Sequence, residues 1–277
     1  MSGAKVLVTG GTGKTGRRVA SLLTAAGIDV AIGTRRPQTP KDRRFDWTEA
    51  SSAAAFDAMD AVYLVAPTDR TDHLAVMAPL LNEALDRGVR RFVLLSSSLL
   101  PPGGPMMGEV HAWLANNAPE WAVLRPSWFM QNFSEGPHAA TIRDGGILYS
   151  ATGTGRVGFI DADDIAATAA MALTAALPLN SDIVLTGPDA LSYDDAAQII
   201  SSVLGRQIRH ASLDPAALIA RFVAQGLPAD YATTLAGLDA DIAAGAEDYT
   251  TSGVEQVAGQ RPTSFQTFAK RARKSWA

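Results

Sequence analysis

The chain has 277 residues, 47% hydrophobic and 19% charged, which is enough apolar material for one sizeable core with an appended region rather than two large domains. A formal net charge of -4 argues against a broad basic surface for nucleic acid, and the absence of cysteine excludes disulfides, thiolate catalysis and cysteine-ligated metal. No apolar run approaches the roughly 18 residues of a membrane helix, and the opening MSGAKVLVTG lacks the basic and apolar parts of a secretion signal, so a soluble cytoplasmic protein is expected.

In chain order, KVLVTG (5–10) is apolar and β-branched and predicts a buried strand. A helix follows over about 14–26, with Val19, Leu22 and Leu23 on one face and Gly27 as its stop. IDVAIGT (28–34) and RRFDW (43–47) predict the next two strands, and the fully apolar AVYLVAP (61–67) a fourth, buried on both faces. A helix over 71–87 precedes a fifth strand, RRFVLLSSS (90–98). A helix over 105–117, PMMGEVHAWLANN, leads to a sixth, WAVLRP (121–126). This alternation implies a parallel sheet with helices on both faces, and right-handed crossovers make it an α/β doubly wound sheet.

Past Pro126 the rhythm breaks. RVGFIDADDIAATAAMAL gives a short strand and a helix, and DIVLTGP (182–188) one more strand. From Ser192 helical patterns dominate, with turn signals at Gly205, Gly226, Gly253 and QRP (260–262). This last part is expected to form a small helical subdomain over one edge of the sheet. The acids Asp161, Asp163 and Asp164 resemble a metal cluster but are expected to cap the following helix. The basic KRARKSW (270–276) reads as a solvated helix end.

The stretch VTGGTGKTG (8–16) carries two competing signals. Gly13-Lys14-Thr15 ends like an ATP-binding P-loop, but the first glycine of that motif would fall on Val8, inside the strand, and no Walker-B acid follows AVYLVAP. Gly11-x-Gly13-x-x-Gly16 between a strand and a helix fits a dinucleotide fold instead. There Gly10 and Gly11 permit the turn, Gly13 lets the backbone approach a pyrophosphate, and Gly16 lets helix and strand pack closely. The helix N-terminus faces the phosphates. Gly10, Thr12, Gly13, Lys14, Thr15 and Gly16 are therefore the expected phosphate contacts. Residues 1–188 are expected to form a Rossmann domain with a substrate-lining insertion at about 127–156, and 189–277 a substrate subdomain.

An NAD-binding fold places an acid about 20 residues on, to hold the ribose 2′-hydroxyl. Here GTRRPQ puts Arg35 19 positions after Gly16, with Arg36 next and no carboxylate expected nearby to repel a 2′-phosphate. Arg35, helped by Lys14 and Arg36, can pair with a 2′-phosphate, so the expected cofactor is NADP(H).

The stretches VTGGTGKTG, RRFDW, AVYLVAP, RFVLLSSS, LRPSWFMQNF and VGFIDADDIA follow one another as in NmrA-like proteins, atypical short-chain dehydrogenase/reductases. The chain resembles this family over its whole length, including LTGPDALSYDDAAQIIS (185–201), and within it resembles bacterial relatives of the festuclavine-type reductases of ergot alkaloid biosynthesis. The resemblance implies that Asp46 and Trp47 line an adenine pocket and that Ala66 and Pro67 border the cofactor. It implies that Ser96 and Ser97 lie beside the nicotinamide ribose, and that 126–133 wraps the nicotinamide, with Trp128, Phe129, Asn132 and Phe133 toward the ligands. For Trp47, Trp128 and Phe129 taken singly, core packing and ligand contact both stay open.

Orthodox members of the superfamily use Tyr-x-x-x-Lys as general acid and its partner. None of the five tyrosines here has a lysine four positions on: Tyr63, Tyr149, Tyr193, Tyr231 and Tyr249 are followed there by Pro67, Gly153, Ala197, Leu235 and Gly253. Met107 and His111 stand in the two places. One reading is a reductase whose acceptor, an iminium or a quinone-like molecule, needs little acid help, with His111 as the candidate proton donor and Met107 lining the substrate. An ordinary packing histidine is the open alternative. The other reading is a non-catalytic NADP(H)-binding redox sensor of NmrA type that acts through a protein partner. No Gly-x-Ser-x-Gly or His-Glu-x-x-His occurs, and the four histidines are far apart in sequence, so hydrolase and zinc chemistry are not expected. Flavin is conceivable as a substrate, with no site to hold it as a resident cofactor.

Overall fold

The computed structural model of the chain describes residues 4–277, with the side chain of residue 137 left aside; residues 1–3 of the N-terminal stretch read above lie outside the described residues. The first elements are β1 (Lys5–Thr9), α1 (Gly16–Ala25), β2 (Asp29–Thr34), β3 (Asp42–Arg44), β4 (Ala61–Val65), α2 (His73–Asp86), β5 (Arg91–Leu95), α3 (Met107–Asn117) and β6 (Glu120–Pro126). Next come α4 (Pro137–Gly145), β7 (Ile147–Ser150), β8 (Arg156–Val157), α5 (Ala162–Thr174), β9 (Ser181–Leu185), β10 (Leu191–Ser192), α6 (Tyr193–Leu204) and β11 (Arg209–Ser212). The chain ends with α7 (Pro215–Ala224), α8 (Ala229–Ala243), α9 (Gly253–Ala258) and α10 (Phe265–Ala272). Two compact units result. Unit 1 comprises residues up to 126, 162–184 and 256–259; unit 2 comprises 127–161, 185–255 and 260–277.

Unit 1 is built on a seven-stranded sheet of order β3-β2-β1-β4-β5-β6-β9, in which each neighbouring pair from β3 to β6 runs parallel. The chain winds outward from β1 to β3, then returns to lay β4 on the other side of β1. That reversal opens a crevice at the carboxyl ends of β1 and β4. One face of the sheet, including Leu7, Leu64, Leu94 and Val123, packs on Met77 and Leu81 of α2 and on Val110 and Leu114 of α3. Residues alternate along a strand, so the intervening side chains meet α1 and α5, which pack on each other and on β1, β2 and β4–β6.

The six expected strands of the first half all form, with two local differences. RRFDW is a strand only over Asp42–Arg44; Phe45 and Trp47 turn inward and join the core. Leu22 is 42% exposed rather than packed, because the buried face of α1 is the narrower set Gly16, Val19, Ala20 and Leu23.

Residues 189–277 are mainly helical, as expected, with two short strands among the helices, and unit 2 adds the β7 and β8 strands of 127–161. β7 and β11 pair in parallel, with Ile147 opposite Arg209 and Ser150 opposite Ser212. β11 reads RHAS, with no apolar alternation, so the pairing and not the local pattern makes it a strand. Gly205 and Gly226 terminate helices with φ of 71° and 93°, whereas Gly253 opens α9. Phe133, Phe159, Tyr193, Phe265, Phe268 and Trp276 form the core. The basic C-terminal end is therefore not simply solvated: Trp276 is 1% exposed and its indole N–H donates to the Phe133 carbonyl at 2.6 Å, while Arg271 pairs with the fully buried Asp161.

Candidate functional site

The site in unit 1 begins where β1 stops. Its ladder with β4 ends at Val8 opposite Tyr63, and the Thr9 hydroxyl carries the connection further. That hydroxyl donates to the Tyr63 carbonyl at 2.9 Å and accepts from the Val65 N–H at 2.9 Å. The chain turns at Gly10 with φ of +58°, and the Gly13 N–H closes the turn onto the Gly10 carbonyl at 2.8 Å. A Cβ on Gly16 would stand 2.3 Å from the Gly10 oxygen, so α1 can start this close to β1 only without one. A Cβ on Gly13 would meet only that oxygen, at 3.1 Å, and would otherwise fill the open concavity above the loop. The Arg17 N–H already donates to the Gly13 carbonyl at 3.2 Å, and the space left open by glycine at the start of the helix fits a diphosphate. Thr12 and Gly13 are exposed at its crest, Lys14 is half-buried, and Thr15 is buried beside the Tyr63 hydroxyl.

Beyond β2, Arg35 and Arg36 are exposed, and neither guanidinium makes a hydrogen bond among the described residues. Arg44 is committed to Glu49 at 2.7 Å and to the Arg35 carbonyl at 3.3 Å. The expectation of no carboxylate near Arg35 needs correction, because folding brings Asp46 within its electrostatic reach. Asp46 is itself occupied. It accepts from the Thr48 N–H at 2.9 Å and hydroxyl at 2.7 Å, which hold it below the ordinary carboxylate range, with Arg35 and Arg44 adding to the effect. Trp47 is 8% exposed, meets Phe45 edge-on at 4.8 Å, and donates its indole N–H to the Val65 carbonyl at 2.9 Å. It thus ties the loop after β3 to the end of β4, where Ala66 and Pro67 lie half-buried.

At the end of β5 the N–H groups of Ser96 and Ser98 donate to the Leu124 and Pro126 carbonyls at 2.8 and 3.0 Å. The Ser96 hydroxyl is buried without a partner, and Ser97 is half-buried. The loop 101–106 folds onto α3. Gly103 donates to the Gly108 carbonyl at 2.8 Å, and Met106 takes φ of 58° to enter the helix. Met107 is half-buried. His111 is only 2% exposed, with its ring 5.7 Å from Trp121 and its Nδ1 enclosed without a partner. Burial pushes its pKa below the usual histidine value; Arg125 pushes the same way and Asp182 opposes.

In unit 2, Trp128, Phe129 and Asn132 are half-buried, and Phe129 is held by a parallel bridge to Ile160. Phe133 is fully buried among Phe159, Tyr193 and Phe265, so it serves the core of unit 2 rather than a ligand surface. Histidines distant in sequence meet here, since His138 and His210 flank Tyr193 with rings 5.7 and 5.5 Å away. Ser150 Oγ lies 2.8 Å from His210 Nε2, and His210 Nδ1 lies 3.5 Å from Asp194. The order is that of a hydrolytic triad, but Ser150 is 1% exposed, so the contacts join β7 to β11 rather than present a nucleophile. No group of acids and histidines that could hold a metal occurs among the described residues. Asp163 pairs with Arg18 at 2.6 Å, and Asp161 receives Gln131 at 2.8 Å.

The sequence profile of the NAD(P)H-binding family matches residues 10–176, from the loop glycines through α5. The chain belongs to this family. It is 42% identical to the uncharacterized oxidoreductase YesF of Bacillus subtilis, over 98% of this chain and 96% of that one. It is 39% identical to the agroclavine dehydrogenase of Claviceps fusiformis, over 98% of each. Among solved structures, the NADPH-dependent quinone oxidoreductase of Escherichia coli superposes with a TM-score of 0.79 at 20% identity, covering 96% of this chain and 99% of that one. The protein is thus an NAD(P)H-dependent reductase of the NmrA-like type, akin to the festuclavine-type enzymes. No helix among the described residues is long and apolar enough to cross a membrane.

Within this family member, sequence reasoning overlooked Arg125, Asp182 and His73. Arg125 offered one signal, a cation between apolar residues in a buried strand. His73 offered none. It is buried where α2 starts, near the Pro67 and Arg70 carbonyls, and burial lowers its pKa.

Proposed function

We propose that the protein transfers hydride from NADPH to a small organic acceptor of iminium or quinone-like character, without a tyrosine acid. Bound NADPH supplies the hydride. Loop residues Gly10–Gly16 hold its diphosphate, Arg35 with Lys14 its 2′-phosphate, and the 46–47 loop with Ala66 and Pro67 its adenine side. Ser96 and Ser97 flank the nicotinamide ribose. Met107 is assigned to the acceptor.

One observation carries this reading. Tyr63 is the sole tyrosine of unit 1 and is 0% exposed, with burial raising its pKa, which supports a reading without a tyrosine acid in that unit. His111 is enclosed and disfavours its charged form, which weighs against full proton transfer from it at neutral pH. An iminium needs no proton, since hydride addition at carbon neutralises it. That class suits the site best, and relatives named agroclavine and festuclavine dehydrogenases are in keeping with it.

The test is the loss of NADPH absorbance with a panel of iminium ions and quinones, for wild type and His111→Ala. Turnover with an iminium, nearly flat between about pH 6 and 8 and retained in His111→Ala, is expected. Loss of turnover in His111→Ala would restore the histidine as acid. No oxidation with any acceptor would leave the NADP(H)-binding sensor.

A further inference from the structure

The β5–β6 register, Leu94 opposite Val123, continues to set Arg125 beside Ser96 on the sheet face covered by α3. The guanidinium sends its donors three ways. Nε reaches the Ser97 carbonyl at 3.4 Å, Nη2 the Ser98 carbonyl at 2.6 Å, and Nη1 the Asp182 carboxylate at 2.7 Å. Its side chain is 15% exposed, so the paired acid on β9 offsets a largely desolvated charge.

β5 has ended at Leu95, and the next residues need other anchors. The N–H groups of Ser96 and Ser98 are taken by β6 carbonyls, while the carbonyls of Ser97 and Ser98 are taken by a β6 side chain. Apart from the Leu100 N–H, which donates to the Ser97 carbonyl at 3.1 Å, these contacts come from β6, and Arg125 supplies the side-chain donors to both carbonyls. A plain ion pair would need only Asp182. The two bonds to the turn are what a rigid planar fork adds and a lysine ammonium cannot match.

We propose that Arg125, steadied by Asp182, is the positioning residue that sets the Ser96–Ser98 turn against the nicotinamide end of the cofactor. This rests on the assignment of Ser96 and Ser97 to the nicotinamide ribose made above.

The test uses the full chain as wild type, Arg125→Lys, Arg125→Gln and Asp182→Asn. The readouts are the Kd for NADPH, the emission of its bound dihydronicotinamide, kcat and KM with an iminium acceptor, and Tm. For Arg125→Lys, the Kd stays within about threefold, because the diphosphate and 2′-phosphate contacts lie elsewhere. Its kcat falls by at least about tenfold, and the emission of bound NADPH moves toward that of free NADPH. Asp182→Asn shifts the same readouts less. If Arg125→Gln does not fold, the other two variants decide. A lowered Tm with wild-type kcat and emission in Arg125→Lys would make Arg125 merely structural and overturn the inference alone. A wild type that binds no NADPH would overturn the functional reading and this inference together.

Discussion

Two glycines of the same loop should fail in different ways. Replacing Gly16 by alanine puts a methyl 2.3 Å from the Gly10 oxygen, about 1 Å inside van der Waals contact, against backbone that cannot step aside. Overpacking of this kind costs about 1–3 kcal/mol, and at about 2 °C per kcal/mol for a chain of this size the Tm should fall by about 2–6 °C. Gly13→Ala meets the same oxygen at 3.1 Å, which a small shift accommodates, and Gly13 does not have a positive φ. The alanine also restricts the unfolded chain, worth about 0.4–1 kcal/mol in favour of the fold, so Tm should stay within about 2 °C. Its methyl, however, fills the concavity assigned to the diphosphate. Loss of one hydrogen bond to a charged oxygen, about 1.5–3 kcal/mol, raises the Kd for NADPH about 10- to 150-fold. Thermal melts and calorimetric titration of both variants check this. A Gly13→Ala protein that binds NADPH within twofold of wild type would refute the phosphate cradle, and an unshifted Tm in Gly16→Ala would refute the packing argument.

Arg35→Asp should weaken NADPH about 100-fold while leaving NADH within about threefold, since only the 2′-phosphate loses a cation and gains a repelling charge; an unchanged preference for NADPH in paired titrations counts against the pocket. Asp239 of α8 is 5% exposed, accepts one hydrogen bond from the Ala151 N–H at 2.8 Å, and is raised by burial from 3.8 to about 6. Between those two pH values the folded state binds more protons than the unfolded one, so the stability from this group is fully present below about pH 4 and lost as pH rises through about 6. Asp239→Asn, which keeps an acceptor for Ala151, should therefore be more stable than wild type at pH 8 by on the order of 2–3 kcal/mol and nearly equal to it at pH 4. Equal melting temperatures at both pH values would contradict this. Trp276→Ala should cost about 3–5 kcal/mol by emptying a core position 1% exposed, and a surface-like change of under 0.5 kcal/mol in denaturant melts would show the C-terminal end to be dispensable.

Much of unit 1 was legible because its signals are local. A parallel sheet covered on both faces requires short continuous apolar runs, and KVLVTG and AVYLVAP are such runs. The need for glycine at 13 and 16 follows from backbone contacts with Gly10, so it can be read without knowing the rest of the fold, whereas a Cβ on Gly11 would first meet Ile32 of β2 at 2.6 Å. Unit 2 was less legible because its strands are made by partners. Neither ILYS nor RHAS shows a strand pattern strong enough to stand alone, and each becomes a strand by pairing with the other across more than fifty residues of chain.

The site divides in the same way. The sequence by itself determined the glycine spacing of the loop after β1, the cation at the end of β2 and the lack of any Tyr-x-x-x-Lys pair, all matters of residue identity at short spacing. Only the tertiary structure decided that Phe133 is core, that His111 is enclosed, that Asp46 lies near Arg35, and that Arg125 grips the turn after β5. Burial and electrostatic reach depend on which distant segments fold against a residue, and residue identity alone does not carry that information.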